Sequence, residues 1–208
     1  MIVTHHQSDQ MCWGVWKVEE SADQLLAMLS QKAWYTSALS QFKLEARKCE
    51  WLAVRVLLMQ LLQEEKEICY APSGAPKLVD GSMHVSLSHT KGYVAVQVTR
   101  QQQHAGIDIE YIAPRIQKIQ ERIMSETELS HLSVQQPIVH ALLHWSAKET
   151  LFKALLTPDV DFREHLHIHP FTPQEAGVFG ANETRTDLKN AFEIGYKVTD
   201  LYVLTYIH

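Results

Sequence analysis

One short stretch in the middle of the chain, Gly106-Ile107-Asp108-Ile109-Glu110, constrains the fold more than any other. Apolar and charged residues alternate in it, which predicts a β-strand whose two isoleucines face a core. Asp108 and Glu110 then share the opposite face, about 7 Å apart at ~3.3 Å of rise per residue. An acidic outer face of this kind is usually only solvated, but paired carboxylates also suit a hard cation such as Mg²⁺. Gly106 allows another backbone or a ligand to come close.

Other segments with the same alternation predict more antiparallel strands. Met83–Ser88 and Tyr93–Thr99 flank a turn at His89–Gly92. We expect them to form a hairpin, with Gly106–Glu110 beside it in the same sheet. Two further strands are predicted near the end of the chain, at Ala191–Val198 and Leu201–Ile207.

Two long segments have the three-and-four spacing of apolar residues that predicts a helix with one buried face. The first covers about Gln41–Glu65, and the second covers Ile138–Leu156 directly after Pro137. Antiparallel strand pairs combined with these helices predict an α+β fold.

The composition is that of an ordinary globular protein, long enough for one large domain or two small ones. The chain has 208 residues, of which 46% are hydrophobic and 21% charged, and no apolar run has the length needed to span a bilayer. The N-terminus lacks the pattern of a signal peptide, and the three cysteines have no metal-type spacing. The formal charge of −5 argues against nonspecific binding of nucleic acid. We therefore expect a cytoplasmic protein that binds neither nucleic acid nor membrane.

A second segment with chemical potential lies in the later helix, Trp145-Ser-Ala-Lys148-Glu149-Thr-Leu-Phe-Lys153. Glu149 and Lys153 are four residues apart, so they share one helix face, and Trp145 lies on that face one turn earlier. The simplest interpretation is an exposed ion pair worth roughly a few tenths of a kcal/mol. The alternative is that Glu149 adds a third carboxylate to those of the acidic strand, with Lys153 placed to meet a phosphate.

Three motifs resemble those of the 4′-phosphopantetheinyl transferases of the broad-specificity type, and they occur in that family's order and spacing. Ser86-Leu-Ser88-His89-Thr90 resembles the serine–histidine turn, Gly106–Glu110 resembles the metal strand, and Trp145–Lys153 resembles the signature helix. Two weaker likenesses, to a basic helix and to a segment ending in an acidic residue, are found at Arg47–Leu58 and Arg122–Glu128. Together the similar segments span about residues 45–156.

The resemblance implies a holo-carrier-protein synthase, which transfers 4′-phosphopantetheine from coenzyme A to a serine of an acyl or peptidyl carrier protein. The reaction would use Mg²⁺ and release adenosine 3′,5′-bisphosphate. The implied architecture is a monomer built as a pseudo-dimer of two similar α+β halves, each an antiparallel sheet with packed helices. Residues 1–104 would contact the nucleotide of coenzyme A, residues 105–208 would hold the metal site and signature helix, and coenzyme A would lie in the cleft between the halves. A noncatalytic coenzyme A or nucleotide-binding protein of the same fold is the alternative.

Carried over to this sequence, the family's metal carboxylates correspond to Asp108, Glu110 and Glu149. Lys153 corresponds to the lysine that binds the pyrophosphate of coenzyme A and neutralises its charge as the leaving group departs. Glu149 and Lys153 are thus the candidate catalytic residues. Glu149 is also a candidate general base, and a water oriented by the metal is its competitor, because a metal-bound carboxylate is a weak base.

For the nucleotide of coenzyme A, the resemblance implies a site in the first half of the chain. Ser88 and His89 match the turn that contacts the 3′-phosphate, with Arg47 as a helper. The family's Gly-Lys-Pro turn is replaced here by Gly74-Ala75-Pro76, and a lysine follows at Lys77. Either Lys77 substitutes for the family's lysine or that contact is lost.

Pro114–Ile123 is a candidate docking surface for the acidic carrier protein. Three cations alternate there with three isoleucines, namely Arg115, Lys118 and Arg122 with Ile116, Ile119 and Ile123. Because the enzyme is itself net negative, an acidic partner needs a local basic and apolar patch. The alternative is a short amphipathic helix whose isoleucines pack on the sheet.

Overall fold

The structure, a computed structural model, describes residues 1–100 and 104–208. The chain divides into two compact units, Met1–Gln103 and His104–His208. Each unit contains an antiparallel sheet and one long helix. This mixture of helices and antiparallel sheets is consistent with the predicted α+β class. Within the described ranges, no helix is both long enough and apolar enough to cross a membrane.

In the first unit, a sheet packs against one long helix. Its elements are β1 (Ile2–Gln7), β2 (Met11–Lys17), α1 (Ala22–Ala27), α2 (Ala33–Leu39), α3 (Glu45–Leu62), β3 (Ile68–Tyr70), β4 (Pro76–Leu78), β5 (Met83–Thr90) and β6 (Tyr93–Arg100). The sheet has the strand order β1-β2-β6-β5, and β3 pairs separately with β4. Leu52, Leu57 and Leu58 of α3 are fully buried and form the centre of this core.

The predicted hairpin is present as β5 and β6, but its turn is shorter than predicted. β5 continues through His89 to Thr90, which pairs with Tyr93, so only Lys91 and Gly92 form the turn. Gly92 has a φ of 72°, a left-handed conformation that glycine adopts without strain in a tight turn. His89 therefore belongs to a paired strand, whose hydrogen bonds fix the position of its backbone.

In the second unit, another antiparallel sheet packs against the other long helix. Its elements are β7 (Ile107–Tyr111), a 3₁₀ helix (Pro114–Lys118), α4 (Gln120–Ile123), α5 (Glu126–Ser130), α6 (Pro137–Leu155), α7 (Phe162–His165), β8 (Leu166–Ile168), β9 (Ala176–Glu183), β10 (Ala191–Val198) and β11 (Tyr202–Ile207). The strand order is β7-β11-β10-β9-β8.

Both predicted long helices are present, and each ends at a residue with a left-handed backbone. Gln63, after α3, has a φ of 55°, and Leu156, after α6, has a φ of 51°. This conformation interrupts the helical hydrogen-bond pattern. Helix α3 is therefore shorter than the predicted Gln41–Glu65, whereas α6 agrees with its prediction to within one residue at each end.

The acidic strand β7 pairs with β11 and not with the hairpin, so this part of the prediction is wrong. Asp108 is opposite Thr205 in the register. Ile107 and Ile109 are buried, as the alternation predicts. Alternation identifies the buried face of a strand but not its partner, because any strand edge offers the same backbone hydrogen bonds.

The prediction that the isoleucines of Pro114–Ile123 form an exposed docking surface is wrong, and the alternative, that they pack inside the fold, is correct. Ile116 and Ile123 are buried in the core of the second unit, and Ile119 packs against that core. The cations Arg115, Lys118 and Arg122 are exposed. The isoleucines serve the fold because the 3₁₀ helix and α4 lie against α6 and close the core there.

The two units share one connectivity. In the first unit, β2 leads to α3 and then to the hairpin β5–β6, and β2 pairs with β6. In the second unit, β7 leads to α6 and later to the hairpin β10–β11, and β7 pairs with β11. In both units the long helix therefore connects a strand to a hairpin whose last strand pairs with that strand.

Helix α6 lies unusually close to the start of β7. A Cβ atom added to Gly106 would be 2.3 Å from the carbonyl oxygen of Thr150 on α6. The predicted close approach at Gly106 is therefore confirmed, and the approaching group is helix backbone. At Gly14 of the first unit, an added Cβ would meet only the side-chain ends of Leu57 and Leu61, at 3.1 and 3.2 Å.

We predict that Gly106→Ala lowers the free energy of unfolding by about 2–3 kcal/mol, because a backbone carbonyl cannot move aside as a side chain can. Urea unfolding followed by circular dichroism measures this change. Gly14→Ala is the matched control, and we expect it to lose about 1 kcal/mol or less, since leucine side chains can shift. Equal losses in the two variants would contradict the explanation.

Candidate active site

Strand β7 and helix α6 bring three carboxylates into one acidic cluster, which consists of Asp108, Glu110 and Glu149. Asp108 is 4% exposed, and the two glutamates are partly buried. The charges of both strand carboxylates act on Glu149. The alternation of β7 places its two carboxylates on the face predicted from sequence, and α6 adds the third.

Lys153 neutralises one member of this cluster. Its Nζ donates hydrogen bonds to Asp108 Oδ1 and to the carbonyl oxygen of Ile107, both at 2.9 Å. The lysine side chain is 26% exposed, so it can exchange this partner for another anion. The structure thus brings Lys153 to the predicted metal residues, where it is paired with a carboxylate.

Trp145 binds a second member of the cluster. Its indole Nε1 donates a hydrogen bond of 2.7 Å to Glu110 Oε1, and its ring packs against Phe162 with centroids 5.6 Å apart. Sequence spacing places Trp145 on the same helix face as Glu149, but it does not predict this bond. The only signal is the tryptophan itself, a hydrogen-bond donor on a face that is otherwise charged.

Glu149 has no hydrogen-bond donor and no cation within ion-pair distance among the described residues. Burial and then the charge of Asp108 raise its pKa to about 7, against the opposing effect of Lys153. Burial and Asp108 also raise the pKa of Glu110, and the Trp145 hydrogen bond opposes this rise. Three carboxylates with one ammonium group leave an excess of negative charge, which a cation would relieve.

The chemistry of these donors fits Mg²⁺, which prefers carboxylate oxygens. Among residues 1–100 and 104–208, however, no group of three or more His, Cys, Asp or Glu side chains is arranged so that it could hold a metal ion as it stands. Lys153 donates to Asp108, whereas Trp145 binds one oxygen of Glu110 and no described residue donates to the other. A metal site at this cluster therefore requires side-chain rotations and, first of all, the displacement of Lys153.

The first unit contains the residues predicted to bind the nucleotide of coenzyme A. Arg47 Nη1 is in close contact with His89 Nε2 and pairs with Glu50 Oε2 at 2.7 Å. Ser88 is buried on β5 directly before His89. Lys77 is exposed on β4. The structure thus joins two exposed side chains, with Arg47 as the donor and His89 Nε2 as the acceptor, and Glu50 lies 3.7 Å from the same nitrogen.

Behind the acidic cluster, a buried ion pair anchors α6. Lys148 is 0% exposed, and its Nζ donates to Glu128 Oε2 at 2.8 Å and to the carbonyl oxygens of Ile123 and Phe162 at 2.8 and 2.9 Å. Glu128 Oε1 accepts from the backbone N–H of Ile168 at 2.9 Å. The pair fixes the rotation of α6 and so the direction of the residue that follows Lys148. Sequence reasoning missed it, since lysine and glutamate are usually exposed.

Two neutral histidines lie beside this ion pair. His140 and His144 of α6 are buried, with ring centroids 5.1 Å apart. His140 Nδ1 accepts the backbone N–H of Ser133 at 3.0 Å, and His144 Nδ1 lies 3.7 Å from Glu128 Oε1. Burial and then the nearby His144 lower the pKa of His140 to about 4. Burial also lowers the pKa of His144, so both imidazoles are uncharged at neutral pH.

A comparison with protein families identifies the second unit. The model of the 4′-phosphopantetheinyl transferase superfamily matches residues 104–207, half of the 208-residue chain. The chain belongs to this superfamily, and the resemblance found in the sequence is confirmed. No curated protein matches the chain at a significant level. Membership implies phosphopantetheine transfer with coenzyme A as the substrate, and a divalent metal is typical of the family.

We predict that His140 contributes to stability at neutral pH and that this contribution is lost between about pH 6.5 and pH 4. Its folded-state pKa of about 4 lies below the ordinary 6.5, so in this window the unfolded chain binds a proton that the folded protein does not. The contribution is complete above pH 6.5, and about 2 kcal/mol of it is lost by about pH 4.5.

Urea unfolding at about pH 7 and about pH 4.5 measures this loss as the difference between the wild type and His140→Gln. The variant keeps an acceptor for Ser133 but does not titrate, so on acidification it should lose about 2 kcal/mol less than the wild type. Other groups, such as Glu149 with its raised pKa, act alike in both proteins. His169→Gln, at an exposed position of the same unit, should keep the wild-type dependence. The same pH dependence in His140→Gln and the wild type would contradict the assignment.

Proposed function

We propose that this protein is a holo-carrier-protein synthase that transfers 4′-phosphopantetheine from coenzyme A to a serine of an acyl or peptidyl carrier protein in a Mg²⁺-dependent reaction. The observation that supports this most is the cluster of Asp108, Glu110 and Glu149 with Lys153, in a unit that matches the family along its whole length. The second product is adenosine 3′,5′-bisphosphate.

In the proposed reaction, the serine hydroxyl oxygen of the carrier attacks the phosphorus that bears the pantetheine. An O–P bond forms to the serine, and the P–O bond to the bridging oxygen breaks. The electron pair leaves with adenosine 3′,5′-bisphosphate, and the hydroxyl proton passes to a base. Glu149 is our candidate side chain for that base, and a metal-oriented water is its competitor.

The residues of the second unit would act on charge and position. Lys153 would turn its ammonium group from Asp108 towards the leaving phosphate, where negative charge develops. A bound Mg²⁺, held by Asp108, Glu110 and Glu149, would act as a Lewis acid on the pyrophosphate. The excess negative charge of the cluster supports this arrangement, because Mg²⁺ would neutralise it.

In the first unit, we propose that Arg47 and His89 bind the 3′-phosphate of coenzyme A, with Ser88 as a neighbour. The guanidinium of Arg47 suits a phosphate group, and the imidazole of His89 has an N–H that can donate to one. Lys77 is a further candidate for a coenzyme A contact in place of the lysine absent from the Gly74–Pro76 turn. The shared connectivity of the two units supports a pseudo-dimer of similar halves, residues 1–104 and 105–208, and we propose that the protein acts as a monomer.

The alternative is a noncatalytic coenzyme A-binding protein of the same fold. The loss of a metal carboxylate or of the helix lysine would favour it, yet Asp108, Glu110, Glu149 and Lys153 are all present and lie together.

Incubation of the protein with coenzyme A, Mg²⁺ and an apo carrier protein should increase the mass of the carrier by one phosphopantetheine group, as measured by mass spectrometry. We predict that Asp108→Ala and Glu149→Ala each lower the rate about a hundredfold or more, the scale of losing a preorganised electrostatic contact. Glu175→Ala, at an exposed carboxylate of the same unit, should transfer at the wild-type rate.

Near-normal rates in Asp108→Ala or Glu149→Ala would contradict the metal assignment. A wild-type protein that binds coenzyme A but modifies no apo carrier would favour the noncatalytic alternative.

We predict that His89→Ala weakens coenzyme A binding about tenfold or more, the scale of a charge-assisted hydrogen bond. Dephospho-coenzyme A lacks the 3′-phosphate, so its affinity should be unchanged. Isothermal titration calorimetry measures both. His84→Ala, at an exposed position of the same strand, is the control, and equal weakening of both ligands by His89→Ala would rule out the phosphate contact.

A further inference from the structure

The hydrogen bond from Trp145 to Glu110 is among the shorter side-chain bonds of the acidic cluster. The indole Nε1 lies 2.7 Å from Glu110 Oε1. Its acceptor is a carboxylate oxygen, and hydrogen bonds to ionised carboxylates are about twice as strong as neutral ones. The indole ring is itself held, because it packs against Phe162 with centroids 5.6 Å apart. A fixed donor thus binds one oxygen of an otherwise flexible side chain.

The other oxygen of Glu110 is left for a different ligand. No described residue donates a hydrogen bond to Glu110 Oε2, and no lysine, arginine or histidine lies within ion-pair distance of it. A glutamate has three side-chain torsions, so without an anchor its carboxylate samples several positions. Because the indole N–H occupies Oε1, the rotation of the carboxylate is set and Oε2 becomes the oxygen that can bind a cation.

We propose that Trp145 is a positioning residue for the metal site: its indole N–H fixes the Glu110 carboxylate by one oxygen and so presents the other to Mg²⁺. This inference rests on the proposed function, since it assigns a metal to Glu110. Trp145 acts through Glu110 and supplies no ligand of its own. Partners of this kind typically change metal affinity by about 10–100-fold when they are removed.

The chain offers a matched control in its first unit. Trp16 Nε1 donates to Glu20 Oε2 at 3.1 Å, which is the same type of bond at a carboxylate to which we assign no metal. Trp145→Phe and Trp16→Phe each remove one indole N–H and keep an aromatic ring. Any general effect of replacing a tryptophan should therefore occur in both variants, whereas an effect on the metal site should occur only in Trp145→Phe.

The first measurement is the affinity of the full-length protein for Mn²⁺, used as the spectroscopic probe, by electron paramagnetic resonance with and without coenzyme A. We expect Trp145→Phe to bind Mn²⁺ about tenfold or more weakly, and Trp16→Phe to bind it like the wild type. Equal affinity in Trp145→Phe and the wild type would overturn the inference but leave the proposed function intact. A wild-type protein that binds no Mn²⁺ even with coenzyme A would overturn both.

The second measurement needs no metal and tests the hydrogen bond on which the positioning depends. Among the five tryptophans, the indole N–H resonance of Trp145 in a ¹H–¹⁵N spectrum is the one missing from Trp145→Phe. In the metal-free protein, Glu110→Gln should shift this resonance, because its acceptor changes from a carboxylate to an amide, and should leave the Trp16 resonance in place. An unmoved Trp145 resonance would overturn the inference.

Discussion

The buried ion pair between Lys148 and Glu128 is the interaction on which the geometry of the site depends. Moving two charges out of water is expensive, and here good geometry and further hydrogen bonds offset that expense. Three acceptors surround the ammonium group, and backbone N–H groups bind the carboxylate. Removing one partner of such a pair typically destabilises a protein by about 3–5 kcal/mol. Since Lys148 immediately precedes Glu149, the pair that anchors α6 also directs the site residue next to it.

The acidic cluster shows the opposite electrostatic design. Its carboxylates repel one another in a partly buried setting, where Lys153 donates to Asp108 and the Trp145 indole donates to Glu110. Burial and then repulsion from Asp108 raise the pKa of Glu149. A stable anchor and a strained cluster lie on adjacent residues of one helix, so the rigidity of the first holds the second in place.

The sequence predicts the local features of this site but not its internal pairing. Alternation identifies β7 and its buried isoleucines, and helical spacing places Glu149 and Lys153 on one face. The alternation of apolar and charged residues cannot identify β11 as the partner of β7, because that pairing depends on how the core of the second unit packs. The partners of Lys148 and Trp145 depend on tertiary contacts and side-chain torsions, on which spacing carries no information. Motif order, by contrast, is sufficient to identify the superfamily.

The close approach at Gly106 makes the two long helices unequal as targets for protein engineering. In the first unit, side chains separate α3 from Gly14, so a library that varies the volumes of Leu57 and Leu61 explores a surface that can adapt. In the second unit, the backbone carbonyl oxygen of Thr150 itself lies against Gly106, so no side chain can adapt there. Directed evolution of this protein should therefore accept repacking variants around α3 and reject side chains at the start of β7, whatever activity is selected.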